Sequence, residues 1–467
     1  MLPVGVAMLA VAVHGRSFRP RMLLGAITGV CFYGTSLSWL ADFAVVGWIG
    51  VAAVETVMLA LAVAVVPTAQ VGRWAGGWWA LPGGMVLLEA AQERFPFDGF
   101  PLPALAHGQL DGPFAFAAPL GGSLLVTAVG SIAGVAIAAL VLARGRVRLL
   151  SVTLAAGLVA ACLALGAAVN TRSLGNLDIA VVQGGGPRGQ RAVFTDPRLA
   201  TDRQFAVADQ ITGSPDLVLL PETVIRVEGS VAGSPGDARV AALARRLNAL
   251  VVAGVAEIQD RRFRNVAVLW GPDGRILGRY EKEHRVPFGE YLPARPLIER
   301  LTDSAKLVPR DAIVGEDAAV LPAPATVLGV VISYEVLFSD RVREAVAAGG
   351  QVVLVPTNAA SYVTDEVPAI EVAAARMRAR EYGRTVVQSA PTGYSVIVAP
   401  DGRVVAQSGL ASPALLRAAV SLRDGNTFYA AVGEIPLLVV AAVVVALAGT
   451  AGTRGRRHSL AVAGPTT

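Results

Sequence analysis

The sequence predicts an α-helical membrane bundle joined to an extracytoplasmic α/β domain, and three observations predict it. Hydrophobic residues make up 54% of the 467 and charged residues only 16%, against about 25% charged in soluble globular chains. Apolar runs of membrane length crowd the first 170 or so residues and recur once near the end. Between them, short β-branched runs alternate with helical patterns, the signature of a layered α/β domain. A net charge of +5, with arginines scattered or beside apolar runs, speaks for membrane orientation and against nucleic-acid binding. Cys31 and Cys162 both lie in apolar runs, so no disulfide is expected. His14, His107, His284 and His458 are far apart, so neither a metal site nor a cofactor is expected.

From the N-terminus, Leu2–Val13 is too short for a comfortable span and lacks the charged start and cleavage site of a signal peptide. Apolar runs follow at Met22–Leu40, Val45–Val66, Gly77–Ala91, Pro113–Ala143 and Leu149–Val169, with another at Phe428–Ala448. Hydrocarbon about 30 Å thick takes roughly 20 helical residues. The expected organisation is therefore about six spans in residues 1–169, a polar domain at 170–427, a final span at 428–449 and a tail at 450–467. Arg16, Arg19 and Arg21 fall in the first loop, Arg73 in the third, and Arg144, Arg146 and Arg148 in the fifth. The intervening loops carry Asp42 and the mixed set Glu93, Arg94, Asp98 and Asp111, while Arg454, Arg456 and Arg457 follow the last run. All basic clusters share one side if the chain starts outside, which puts the polar domain outside and the tail in the cytoplasm. Trp39, Trp48, Trp74, Trp78 and Trp79 lie near span ends, where an interfacial belt is expected.

Within the polar region, buried strands are expected at Leu177–Gln183, Leu217–Leu220, Leu250–Val255, Val266–Trp270, Thr326–Ile332, Val352–Pro356, Val386–Ser389 and Ser395–Ala399. Helices are expected at Leu199–Ile211, Asp237–Asn248, Asp340–Ala348 and Ala369–Tyr382. Gly271-Pro-Asp-Gly274 and Pro400-Asp-Gly402 carry the turn chemistry of hairpins. Residues 287–324 read as a long lid or binding loop. Gly184-Gly-Gly186 follows a strand but lacks the Gly-Lys-Ser/Thr of a phosphate loop, so it reads as a tight turn.

Three polar signals stand at or near strand ends. Leu217-Val-Leu-Leu-Pro-Glu222 stops an apolar run with a proline and an acid; Lys282 sits among acids in Tyr280–Glu290; Ser333-Tyr-Glu335 ends the run that begins at Thr326. Taken singly they are a strand cap, a solvated charge run and a strand end. Together they supply a general base that takes the nucleophile's proton, an ammonium that stabilises an oxyanion, and a nucleophile that forms an acyl-enzyme. His284 reads as a structural hydrogen-bonding residue beside Lys282.

That order of residues resembles the carbon–nitrogen hydrolase (nitrilase) superfamily, whose Glu, Lys and Cys act on an α-β-β-α sandwich. With membrane flanks, the chain looks like a member of the apolipoprotein N-acyltransferase family. The resemblance rests on Gly99-Phe-Pro101, Gln109-Leu-Asp-Gly112, Val182-Gln-Gly184, Pro221-Glu222, Tyr280–Glu290, Ser333-Tyr-Glu335, Asn358, Ala375–Glu381 and Thr392-Gly393. It implies Glu222 as general base, Lys282 as oxyanion-stabilising cation and Ser333 as nucleophile. Glu290 is implied as a second active-site acid, Tyr334 and Glu335 as flanks of the nucleophile, and Tyr362 as an aromatic group near the substrate entrance. The implied reaction takes an acyl chain from a phospholipid donor, through an acyl-enzyme, to the free amine of a diacylglyceryl apolipoprotein acceptor at the bacterial inner membrane. In actinobacteria-like chains of the family a polyprenol-phosphate mannose synthase is an implied partner. Three features depart from the pattern. Ser333 stands where the family has Cys; Leu102 stands where many members have Trp; and the family usually has one more N-terminal span, so the chain is expected to begin late. Two other readings remain open: a membrane-tethered amidase, and a catalytically silent homologue that binds lipid or a partner.

Overall fold

Chain length between breakers decides which apolar runs become long helices. A computed structural model describes all residues except 67–78, 103, 302–305, 307 and 463–467. Two compact units result, Met1–Val169 with Ala431–Thr467 and Asn170–Ala430. In the first unit the helices are α1 (Leu2–Val13), α2 (Phe18–Ser36), α3 (Val45–Val65), α4 (Ala80–Gln92), α5 (Ala118–Leu142) and α6 (Gly145–Ala168), followed at the far end of the chain by Ile435–Val462. Among the described residues, three helices are long and apolar enough to cross a membrane: Val45–Val65, Pro113–Leu142 and Gly145–Ala168. Small residues bring α2 and α3 together, since a Cβ added at Gly25 or Gly29 would lie 2.8 or 2.9 Å from the backbone of Ala60 or Thr56. Buried polar groups tie the same bundle, with Gln92 Nε2 donating to Glu55 Oε2 at 2.6 Å and to Tyr33 Oη at 2.8 Å. Trp39, just past the end of α2, is buried within this unit. Arg73, Trp74 and Trp78 lie outside the described residues.

In the second unit the strands are β1 (Arg172–Gln183), β2 (Leu217–Leu219), β3 (Ile225–Glu228), β4 (Leu250–Gln259), β5 (Arg262–Trp270), β6 (Ile276–Glu281) and β7 (Asp311–Ala312). They continue with β8 (Val320–Ala323), β9 (Thr326–Val330), β10 (Val352–Pro356), β11 (Val386–Ser389), β12 (Val396–Val398), β13 (Val404–Gln407) and β14 (Ala414–Asp424). One sheet runs β14-β1-β2-β4-β5-β6, with β3 beside β4 and β7 beside β5; the other runs β13-β12-β11-β10-β9-β8. The central pairs β1–β2, β2–β4, β9–β10 and β10–β11 are parallel, which needs helical crossovers. These include α7 (Gln190–Val193), α8 (Pro197–Ala208), α9 (Pro235–Leu247), α11 (Ser339–Ala347) and α12 (Glu366–Tyr382), with α10 (Arg295–Leu301) in the long connection after β6.

Helices α8 and α9 cover the first sheet through Phe205, Val240, Leu243 and Leu247, packed on Val182, Val218, Val251 and Trp270. The two sheets meet at polar staples: Ser389 Oγ donates to Val182 O at 2.8 Å, and Gln183 Oε1 accepts from Ser395 Oγ at 2.8 Å and Ser408 Oγ at 2.7 Å. The architecture is helix–sheet–sheet–helix. Ser234 caps α9 by accepting from Asp237 N, and Asn248 ends it in the left-handed conformation. Both anticipated hairpins form, with Gly274 and Gly402 at φ +79°. The Gly184–Gly186 segment is a turn, in which Gly185 N donates to Pro391 O and Gly186 N to Ala411 O.

Several segments differ from the sequence reading, among them β3 and α7, which were not expected. The lid at 287–324 contains α10, β7 and β8. Strand β14 was not expected, because Ala414-Leu-Leu-Arg-Ala-Ala is rich in helix formers. Its pairing along nearly the whole length of β1, from Arg172↔Asp424 to Gln183↔Ala414, overrides that propensity.

Candidate active site

Each candidate group is delivered where a strand runs out. Strand β2 stops before Pro221, whose missing N–H cannot continue a ladder, and Glu222 follows. Gly254 on β4 makes room for this turn, because a Cβ there would lie 2.4 Å from Glu222 Cα. Lys282 follows β6 directly and is 1% exposed. Its Nζ donates to Glu222 Oε1 at 3.1 Å and to Glu290 Oε1 at 2.9 Å. Asn265, from the middle of β5, reaches the same two oxygens, its Nδ2 donating at 2.6 Å to Glu222 and 2.8 Å to Glu290. Burial raises the Glu222 carboxyl above its ordinary value against the opposing pull of Lys282, and Glu290 raises it further. Burial by itself would lower the Lys282 ammonium; Glu222 and Glu290 overcome it and hold the cation above the ordinary lysine value.

Ser333 opens the turn that follows β9 and sits at φ +51°. A non-glycine residue in that region is strained and needs its surroundings to hold it. The holding group is Glu335, which is fully buried. Its Oε1 accepts from Tyr280 Oη and Glu283 N, both at 2.8 Å, and from His284 N at 3.1 Å; its Oε2 accepts from Ile332 N at 2.6 Å. One carboxylate thus fastens the chain on both sides of Lys282 to the turn bearing Ser333. Tyr334 meets Phe338 edge-on at 5.1 Å, and the His284 ring stacks on Phe338 at 4.2 Å. His284 therefore contributes a backbone donor and a stacking face.

The Ser333 hydroxyl has two close neighbours that the sequence reading did not single out. Its Oγ donates to Glu371 Oε1 at 3.2 Å, and Thr357 Oγ1 lies 3.0 Å from Ser333 Oγ and 2.8 Å from the same Glu371 oxygen. Among the described residues, no hydrogen bond joins Ser333 to Glu222 or Lys282. Glu371 stands on α12, is 5% exposed and lies in the electrostatic reach of Glu222 and Lys282. Burial pushes its carboxyl up to about 7, opposed by the Thr357 hydrogen bond. Half-buried Tyr362 lies in the field of Glu371, Lys282, Glu290 and Glu222, and its phenol is raised by burial first and then by Glu371. The structure thus gathers Glu222, Lys282, Glu290 and Tyr362 with Ser333 through Glu371, while Tyr334 and Glu335 frame the serine.

Residues 1–138 match the family model described as the apolipoprotein N-acyltransferase N-terminal domain, and residues 208–428 match the carbon-nitrogen hydrolase model. The chain is 26% identical over 466 residues to the apolipoprotein N-acyltransferase of Photobacterium profundum, covering 94% of this chain and 88% of that one. With the enzyme of the same name from Gloeobacter violaceus it shares 26% over 482 residues, covering 97% and 91%. With that from Mycolicibacterium smegmatis it shares 30% over 293 residues, covering 58% and 48%. Both models match in chain order and the Photobacterium and Gloeobacter relatives align along nearly the whole length, so the chain belongs to the apolipoprotein N-acyltransferase family of the carbon–nitrogen hydrolase superfamily.

Proposed function

We propose that the protein is a membrane N-acyltransferase that completes bacterial lipoproteins. It moves an acyl chain from a phospholipid to Ser333 and then to the N-terminal amine of a diacylglyceryl-cysteine. The observation that carries this reading is the buried Lys282 ammonium held between Glu222 and Glu290 beside a strand-end serine, in a chain whose N-terminal part matches an acyltransferase domain. Attack of Ser333 Oγ on the ester carbonyl makes an oxyanion, for which Lys282 supplies a fixed cation in a desolvated site. Collapse expels the lysophospholipid as an alcohol and leaves an ester on Ser333. Glu222 then serves as the general base toward the incoming amine, which attacks the ester and forms the amide, and the proton it takes up returns to Ser333 Oγ as the carbon–Oγ bond breaks.

Mass spectrometry of the full chain incubated with a phospholipid of defined acyl composition tests this reading. The expected result is one acyl chain on Ser333 that leaves when a diacylglyceryl peptide is added and appears on the peptide's amine. Release as free fatty acid would favour the amidase reading. No acyl adduct on wild type or on S333C would overturn the acyltransferase reading.

The multi-pass topology with the polar domain outside the cytoplasm rests on the basic residues at 16–21, 144–148 and 454–457. Reporter fusions at Gly271 and after Arg457 should report opposite compartments, with the first outside. Both reporters on one side would sink the topology.

A further inference from the structure

The serine at the nucleophile position poses a chemical problem that its surroundings answer. A serine hydroxyl is much less acidic than a thiol of pKa about 8.5, so attack at neutral pH requires a base in contact with Oγ as the bond forms. The carboxylate nearest in the sequence pattern, Glu222, has other partners: its Oε1 accepts from Lys282 and Asn265. Glu371 instead accepts directly from Ser333 Oγ, and its Oε2 is buried with no hydrogen-bond partner among the described residues. Thr357 closes a triangle with both groups. Its hydroxyl has a single proton, so it serves either Glu371 or Ser333 at one time. In each arrangement the serine proton leads to Glu371, directly or through Thr357. The neutral-range value of this carboxyl, about 7, is what a base working at physiological pH needs.

Resting on the acyltransferase reading above, we infer that Glu371 is a catalytic residue of this enzyme, the general base that takes the Ser333 proton during acylation and delivers a proton back to Oγ during transfer. In the first half-reaction the Oγ–H bond breaks toward Glu371 as Oγ bonds to the carbonyl carbon. The carbon–oxygen bond to the glycerol then breaks, and the protonated Glu371 is discharged to the departing alkoxide through the site. In the second half-reaction the amine forms its bond to the same carbon and gives a proton to Glu222. The bond from carbon to Oγ breaks, and the proton taken up by Glu222 passes by way of Glu371 to Oγ, so that both carboxylates end unprotonated. Glu371 thereby exchanges protons with the enzyme's oxygen, Glu222 takes the proton of the incoming amine, and Lys282 faces the oxyanion. Nothing is oxidised or reduced, and no further reactant is required.

The same carboxylate would oppose a cysteine at this position, because a thiolate and a carboxylate about 3 Å apart disfavour each other's charge. That asymmetry gives the test. The rate of acyl adduct formation is measured by mass spectrometry, with the full-length protein and phospholipid vesicles, for wild type, E371Q, S333C and S333C/E371Q. E371Q should slow acylation of Ser333 by about 100-fold, the lower end of general-base contributions. Added to S333C, the same change should cost less than about threefold or accelerate the reaction, since a thiol ionises more readily without a neighbouring anion. Acylation of S333C/E371Q also confirms that the substituted protein is folded. Equal penalties in the two backgrounds would make Glu371 a packing residue and overturn the assignment, as would an unimpaired E371Q. An inert wild type beside an active S333C would overturn it too, since Glu371 would then not activate the serine. Absence of adducts in all four proteins would instead remove the acyltransferase reading itself, and this inference with it.

Discussion

Replacing Lys282 with methionine is expected to destabilise the polar domain by about 3–5 kcal/mol, the usual cost of stranding buried charge. It should also slow acyl-enzyme formation by about 10²–10³, the effect of losing one oxyanion-stabilising group. Both effects follow from the same geometry. Glu222 and Glu290 point oxygens at one ammonium from 3.1 and 2.9 Å, and Asn265 bridges the same two oxygens. Without the cation, two buried carboxylates share one amide, and at least one takes up a proton. A carboxyl whose folded-state pKa is raised contributes its full stability below the unfolded value and loses it as pH rises through the folded value. The deficit of K282M against wild type should therefore widen from the acid side toward neutrality. K282M/E290Q separates the two roles, because removing one acid restores charge balance without restoring the cation. Denaturation midpoints of the full-length protein across pH should recover in part in the double variant, while acylation stays low. Equal midpoints for wild type and K282M at neutral pH would mean that the buried triad stores no net stability.

How much of this was legible in the sequence depends on what each residue interrupts. Glu222 and Ser333 end apolar runs, so a polar residue in the wrong company exposes both of them, while Lys282 sits among acids after a hairpin. Lys282 is conspicuous for another reason: it and Lys306 are the only two lysines among 40 basic residues. A compact ammonium fits between two carboxylates where the planar fork of arginine demands a bidentate partner. Asn265 and Glu371 gave weaker signals. Asn265 lies inside β5 between Arg264 and Val266, where it reads as one polar step in a strand. Glu371 lies on α12, whose buried stripe includes Val367, Ala374, Ala375 and Arg378. Helical spacing puts Glu371 on that stripe with Val367 and Ala375, and a carboxylate there was the available clue. What no spacing could reveal is which oxygen it meets, because Ser333 and Thr357 arrive from the ends of two other strands. The helix–sheet–sheet–helix fold was legible in its parallel centre, where β10 and β11 have the bounds expected of them. It was not legible at its edge, where β14 depends on pairing with β1 rather than on its own composition.

The other large effect is expected at Glu335, a residue that touches none of the catalytic atoms. Glu335→Ala should cost about 3–5 kcal/mol, because it leaves the N–H groups of Glu283, His284 and Ile332 without their acceptor in a buried site. Tyr280 Oη, which donates to Glu335 and accepts from Arg341 Nη2 at 2.8 Å, loses its acceptor as well. These bonds are what oblige the segment carrying Lys282 to end beside the turn carrying Ser333, and the positive φ of Ser333 has to be held by its neighbours. Backbone hydrogen exchange should therefore rise together at residues 282–284 and 332–335 in E335A, while α8 and α9, packed on the other face of the first sheet, keep their protection. E335Q retains one acceptor oxygen and replaces the other with a donor that meets either Ile332 N–H or the Glu283 and His284 pair. It should fall between wild type and E335A in exchange and stability. If Glu335 acts only by position, acylation by Ser333 should fall by about 100-fold in E335A, the loss expected from misplacing reacting groups by about 1 Å. Loss of acylation with exchange unchanged at both segments would instead make Glu335 a participant in the chemistry and refute the positioning role assigned to it.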